Sequence, residues 1–144
     1  MTNSTADQLF AEYGAYHTDP RNRVCHEIGI PLIVLAIQAL VDALPAGPFI
    51  TALLTIALAA YYVRLVGLRA LPTILALSVA AAIASFIAWP WAIALFLVGW
   101  IFQFVGHAYE GKKPAFLTNL VHLLVGPLWI GHILTTPRSS SSAR

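Results

Sequence analysis

Pro90-Trp-Ala-Ile-Ala-Leu-Phe-Leu-Val-Gly-Trp-Ile-Phe-Gln-Phe-Val-Gly-His-Ala-Tyr109 carries no acidic or basic side chain other than the histidine near its end. Twenty mostly apolar residues at about 1.5 Å of rise each cross the roughly 30 Å hydrocarbon core of a bilayer. In lipid the backbone must satisfy its own hydrogen bonds, so such a stretch predicts a transmembrane α-helix over residues 90–109. The helix delivers His107 to its carboxy-terminal end, and Glu110 follows three residues later on the same side of a continued helix.

Upstream, three more apolar segments have comparable lengths: residues 28–44, 48–66 and 71–89. Pro45-Ala-Gly-Pro48 reads as a turn between the first two, and Trp89-Pro-Trp91 as an interfacial break before the last. Pro31 is expected in the first turns of its helix, where a missing N–H costs little. The third segment is rich in alanine and serine (Ser78, Ala80, Ala81, Ala82, Ala84, Ser85), which predicts close helix packing there. Downstream, residues 115–134 are apolar but hold Asn119, His122, Pro127 and His132; they predict a span, a re-entrant hairpin or an interfacial helix. The fold class expected is therefore all-α: an integral membrane bundle of about four transmembrane helices plus a carboxy-terminal re-entrant or interfacial segment.

Composition agrees. Hydrophobic residues make up 59% and charged residues 10% of the 144, against about 45–50% and about 25% in ordinary globular chains. A soluble domain of this size has too much surface to hide that much apolar side chain. The length fits a single domain, residues 1–144, with a polar amino terminus over 1–15 and a disordered serine-rich tail over 138–144. The amino terminus has no apolar run of the signal-peptide kind. Cys25 is the single cysteine, which excludes an intramolecular disulfide and a cysteine-based structural zinc site. No basic run with interleaved aromatics points to nucleic acid.

Six of the eight basic residues sort by side, and Arg138 and Arg144 join them if the last stretch goes in and returns or lies at the surface. With the amino terminus inside, Arg21 and Arg23 precede the first span, Arg64 and Arg69 flank the turn between the second and third, and Lys112 and Lys113 follow the fourth. The two outside turns have none. This is the positive-inside pattern and predicts which face is cytoplasmic; the membrane would be the inner membrane in a bacterium or the endoplasmic reticulum in a eukaryote. The same topology gathers His17, His26, His107 and His122, with Glu110, on that face, from three separate parts of the chain. A lone histidine near a helix end is most often a capping or interfacial residue. Joint convergence of titratable groups at a membrane edge singles out a site. Neutral imidazoles with a carboxylate suit iron, zinc or copper. Gln38 reads as an interhelical hydrogen bond, Asp42 as a helix end in water, Cys25 as packing, and Tyr61, Tyr62 and Trp100 as packing or interface residues.

Two segments resemble a known family. They are Tyr16-His-Thr-Asp-Pro-Arg-Asn-Arg-Val-Cys-His-Glu-Ile-Gly-Ile-Pro31, and Gln103-Phe-Val-Gly-His-Ala-Tyr-Glu-Gly-Lys-Lys-Pro-Ala115 with Asn119 and Gly126-Pro127. Together they resemble the motifs of the membrane 2-hydroxy fatty acid dioxygenases of fatty acid α-oxidation and phytosphingosine breakdown, over roughly residues 8–134. The resemblance implies an Fe(II) cofactor, dioxygen and a 2-hydroxy fatty acid shortened by one carbon. By position it implies His17, His26, His107 and, in the last motif, His122 as metal ligands. It implies Glu110 and Asn22 as catalytic polar partners and Gln103 as a polar position near the substrate. Lys113 or Arg23 would neutralise the substrate carboxylate. Two other readings stand beside it: a haem-binding membrane electron carrier, and a non-catalytic transporter or scaffold.

Overall fold

The computed structural model describes residues 5–117 and 121–135. Asn119 of the quoted motif and the tail over 138–144 lie outside them. The described chain is helical: α1 (Thr5–Ala15), α2 (Pro20–Asp42), α3 (Gly47–Val66), a 3-10 turn (Gly67–Ala70), α4 (Leu71–Ala84), α5 (Trp89–Glu110), a second 3-10 turn (Ala115–Leu117) and α6 (Val121–Thr135).

Asp19-Pro20 starts α2. The Asp19 carboxylate accepts the Arg21 backbone N–H at 2.8 Å, and proline at the first helical position lacks only an N–H that would have no partner there. The helix therefore begins eight residues earlier than the apolar run. His26 and Asn22 sit on α2 itself, and Pro31 lies inside the helix rather than in its first turns. There it leaves one carbonyl of the preceding turn without its helical donor.

Among the described residues, three segments are long and apolar enough to cross a membrane: Pro20–Asp42, Gly47–Ala84 and Trp89–Glu110. The expected second and third spans both fall in the 38-residue middle segment, which reverses direction at Gly67–Ala70. Gln38 on α2 shows the reversal, since its amide reaches Thr55 on α3 (3.4 Å) and the Leu77 carbonyl on α4 (3.2 Å). The all-α membrane bundle that the sequence predicts is what the structure shows, with α3 and α4 as the two arms of this middle segment. Helix α4 has 14 residues, about 21 Å at 1.5 Å per residue, less than the hydrocarbon thickness. The apolar run over 71–89 is helical only to Ala84 because residues 85–88 form the turn before Pro90. The described part of α6 has 15 residues.

The most extensive helix packing lies elsewhere than on α4. Most small side chains of α4 are exposed or half-exposed, whereas α2 and α5 form the most extensively packed pair. Glycines make this possible. A Cβ on Gly29 would lie 2.8 Å from the Gly99 carbonyl oxygen, and one on Gly106 would lie 2.5 Å from Asn22 Oδ1 and 2.9 Å from Cys25 Cβ. At the end of α5, Gly111 closes the helix in the left-handed conformation (φ 67°), donating its N–H to the His107 carbonyl at 3.0 Å.

Around this pair, α6 buries Val125, Leu128, Trp129 and Ile130 against α1 and the α3–α4 turn, and Tyr62 donates its hydroxyl to the Leu124 carbonyl at 2.5 Å. The basic turn with Arg64 and Arg69 thus shares one end of the bundle with α1, α6 and the start of α2. The outer faces stay apolar: Phe49 is 66% exposed, Leu75 66% and Phe86 89%. Exposed apolar surface on that scale fits lipid as the surrounding solvent.

Candidate metal centre

His26 is on the second turn of α2, His107 one turn before the end of α5, and His17 in the short link between α1 and α2. The glycine contacts of α2 and α5 set the first two side by side. A Cβ at Gly106 would come within 3.2 Å of His26 Nδ1. The three rings contact one another edge-on, with centroids 4.3 Å apart for His17 and His26, 4.8 Å for His26 and His107, and 5.2 Å for His17 and His107. All three are buried, and one donor nitrogen from each lies within 4.8 Å of the others.

Two tautomers follow from the hydrogen bonds. His17 Nδ1 is 2.6 Å from the Tyr13 carbonyl and His26 Nδ1 is 3.0 Å from the Asn22 carbonyl. A carbonyl only accepts, so each Nδ1 carries the proton and each Nε2 keeps its lone pair. His17 Nε2 and His107 Nδ1 are buried without a protein partner. Burial pushes the His17 imidazolium down to about 4, against a smaller opposing effect of the Tyr13 hydrogen bond. The ring is then neutral at ordinary pH. Buried, neutral imidazoles with lone pairs converging on one point are a donor set for a transition metal. Backbone carbonyls that fix the opposite nitrogen are the usual outer support of such ligands.

The other expected residues fall in different places. His122 is buried and lines the same cavity, but it meets Tyr13 and Tyr16 and lies 3.6 Å from the Glu12 carboxylate, outside the three-histidine group. His132 stacks on Phe10. The Glu110 carboxylate accepts from the Thr18 N–H (2.9 Å), the Thr18 hydroxyl, the Asp19 N–H (2.8 Å) and the Asn22 amide (3.1 Å). Arg23 is exposed and gives its Nε to the His17 carbonyl at 2.6 Å. Gln103 is buried beside Gly29, and Lys113 is exposed.

Sequence reasoning did not find Tyr13, Thr18 or Trp129. Tyr13 stacks on His17 (4.3 Å, 12°), and Trp129 packs on both. The i, i+4 spacing of Tyr13 and His17 was the one available signal.

Below the histidines, a cavity of about 650 Å³ runs along α2, walled by Ile33, Ile37 and Val41 from α2, Leu54 and Leu58 from α3, and Phe96 and Trp100 from α5. Its volume is in the range of small-molecule sites, about 300–1,000 Å³. Ile37 and Leu54 are about half exposed, so the cavity opens sideways toward the lipid-facing surface.

A buried three-imidazole site at the polar end of an apolar membrane bundle defines the class: a candidate metalloprotein with an apolar ligand cavity. Sequence comparison gives the family. The family model described as "2-hydroxy-palmitic acid dioxygenase Mpo1-like" matches residues 3–137, and the chain belongs to that family. It is 33% identical over 120 residues to the Saccharomyces cerevisiae protein named 2-hydroxy-palmitic acid dioxygenase MPO1, covering 78% of this chain and 69% of that one. No solved structure matches the chain.

Proposed function

We propose that this protein is an Fe(II)-dependent dioxygenase that shortens 2-hydroxy fatty acids by one carbon at the cytoplasmic face of its membrane. The observation that carries the reading is the group His17, His26 and His107, whose donor nitrogens lie within 4.8 Å of one another at the head of the apolar cavity. Family membership and the name of the yeast relative support the substrate class.

These three histidines are the residues that would hold the iron, and three protein ligands leave positions for small molecules. When bound, the iron supplies the redox chemistry with dioxygen. The overall balance closes without a further reductant: a 2-hydroxy acid and dioxygen give the acid one carbon shorter, carbon dioxide and water. The remaining work falls to the chain itself. The Tyr13 and Asn22 carbonyls hold two imidazoles in the tautomer that presents Nε2. Gln103 and His122 line the cavity with the histidines and face the polar head of the substrate. Asn22 and Glu110 hold the surrounding backbone, and Lys113 and Arg23 neutralise the carboxylate.

The cavity takes the tail. From His26 to Val41 the helix rise gives about 22 Å. An extended chain advances about 1.2 Å per bond, so this length accommodates about 18 bonds. Each buried methylene contributes about 0.8 kcal/mol. The basic residues at this end, Arg21, Arg23, Arg64, Arg69, Lys112 and Lys113, support the cytoplasmic orientation.

The test is a product assay. Purified protein loaded anaerobically with ferrous iron and given 2-hydroxyhexadecanoic acid and dioxygen should yield the fifteen-carbon acid. The His26→Ala/His107→Ala variant should yield none. Equal product from the variant, or no product from iron-loaded wild type, overturns the reading.

A further inference from the structure

We infer that Thr18 and Glu110 are positioning residues that together fix His17 as the third imidazole, and that Glu110 is not a metal ligand. The inference rests on the metal-site reading above. His26 and His107 ride on packed helices, so helix geometry sets their positions. His17 does not; it lies in the non-helical link over residues 16–19. The Tyr16 and His17 N–H groups still bond to the Tyr13 and Gly14 carbonyls of α1; the Tyr16 and His17 carbonyls and the Thr18 and Asp19 N–H groups have no helical partner and need one from elsewhere.

Side chains of α2 and α5 supply them one by one. The Tyr16 carbonyl accepts from Asn22 Nδ2 at 2.9 Å, and the His17 carbonyl from Arg23 Nε at 2.6 Å. The Thr18 and Asp19 N–H groups both donate to Glu110. The Thr18 hydroxyl adds a second donor to Glu110 Oε1, and Asn22 Nδ2 adds a second to Oε2. Two donors on each oxygen occupy the roughly four lone-pair sites of a carboxylate. Glu110 therefore has nothing left to offer a metal ion or a substrate proton. Its side chain is 1% exposed. A buried carboxylate is stable only while its partners stay in place, so the carboxylate and the link hold each other in one arrangement. That arrangement ties the segment carrying His17 to the helix carrying His107.

The experiment uses full-length protein in detergent, with Co(II) as the metal probe, and compares wild type, Thr18→Val and Glu110→Gln. Co(II) affinity, the number of coordinated imidazoles from X-ray absorption and pulsed EPR, and amide hydrogen exchange at Thr18 and Asp19 in the metal-free protein are measured. Outer partners of metal ligands typically contribute about 10–100-fold in affinity. Glu110→Gln is expected to weaken Co(II) binding by about that much, lower the imidazole count from three toward two, and speed exchange at both amides. Thr18→Val, which removes one hydroxyl donor, should do the same to a smaller degree.

Three imidazoles retained in Glu110→Gln with loss of an oxygen donor would make Glu110 a ligand and overturn the inference. So would unchanged affinity and exchange in both variants. Wild type that takes up no Co(II) refutes the metal reading, and the ligand part of this inference with it. Exchange at Thr18 and Asp19 then still decides whether Glu110 fixes the link, and unchanged exchange in Glu110→Gln rejects that too.

Discussion

Gly106→Ala adds one methyl group at the point where α2, α5 and the histidines meet. The new Cβ would lie 2.5 Å from Asn22 Oδ1, 2.9 Å from Cys25 Cβ and 3.2 Å from His26 Nδ1. The first two distances are shorter than carbon contacts allow, and Cys25 Cβ is fixed to the backbone of α2. The helices must separate or Asn22 must leave Glu110. Overpacking a well-packed interior costs about 1–3 kcal/mol, although alanine has the better helix propensity by about 1 kcal/mol. Net destabilisation of up to about 2 kcal/mol is expected. Because the displaced groups carry His26, metal affinity should fall at least tenfold, which is about 1.4 kcal/mol. Thermal unfolding in detergent reads the first quantity and Co(II) titration the second. A variant as stable as wild type with undiminished Co(II) affinity would refute the claim that the α2–α5 approach builds the site. Gly111→Ala, in contrast, meets no neighbouring atom and strains only a positive φ, so it should lower stability without changing affinity.

In the metal-free protein, stability should decline as pH falls from about 6.5 toward about 4, because the unfolded chain protonates His17 before the folded one does. His17→Gln should flatten that part of the profile, as read by unfolding temperature against pH. Leu58→Trp places bulk in the cavity wall. It should raise KM for a sixteen-carbon substrate, about fourfold for each methylene displaced at about 0.8 kcal/mol, and leave a ten-carbon substrate nearly unaffected. Lys113→Ala should raise KM a few-fold at low salt and leave bound metal unchanged, since the side chain is exposed and its charge is screened; equal KM values would reduce Lys113 to a topology signal.

What the sequence revealed and what it hid divide along one line. Features fixed by local chemistry were legible. The uncharged run ending at His107 gives α5; the start of α2 at Asp19-Pro20 was missed, because the apolar run that marked this helix begins only at residue 28. The spacing of basic residues set which helix ends come together. That topology alone was enough to bring His17, His26 and His107 to one face. Features fixed by contacts between distant residues were not legible. Gly29, Gly99 and Gly106 look unremarkable in a run of apolar residues, yet they and not the α4 alanines make the close approach. Glu110 three residues after His107 suggested a partner for that ring, but its carboxylate turns to residues 18, 19 and 22. His122 fell within reach by sequence, but in the fold its ring packs against Tyr13 and Tyr16. Edge-on contact of the three imidazoles also disfavours the haem alternative, since a macrocycle needs a planar gap between axial ligands.

The most direct test of the metal site is the metal content of protein purified in detergent, measured by mass spectrometry after anaerobic ferrous loading and buffer exchange, with the His26→Ala/His107→Ala variant alongside. The account predicts about one iron per wild-type chain and almost none in the variant. Equal iron in the two samples, or none in either, would contradict it.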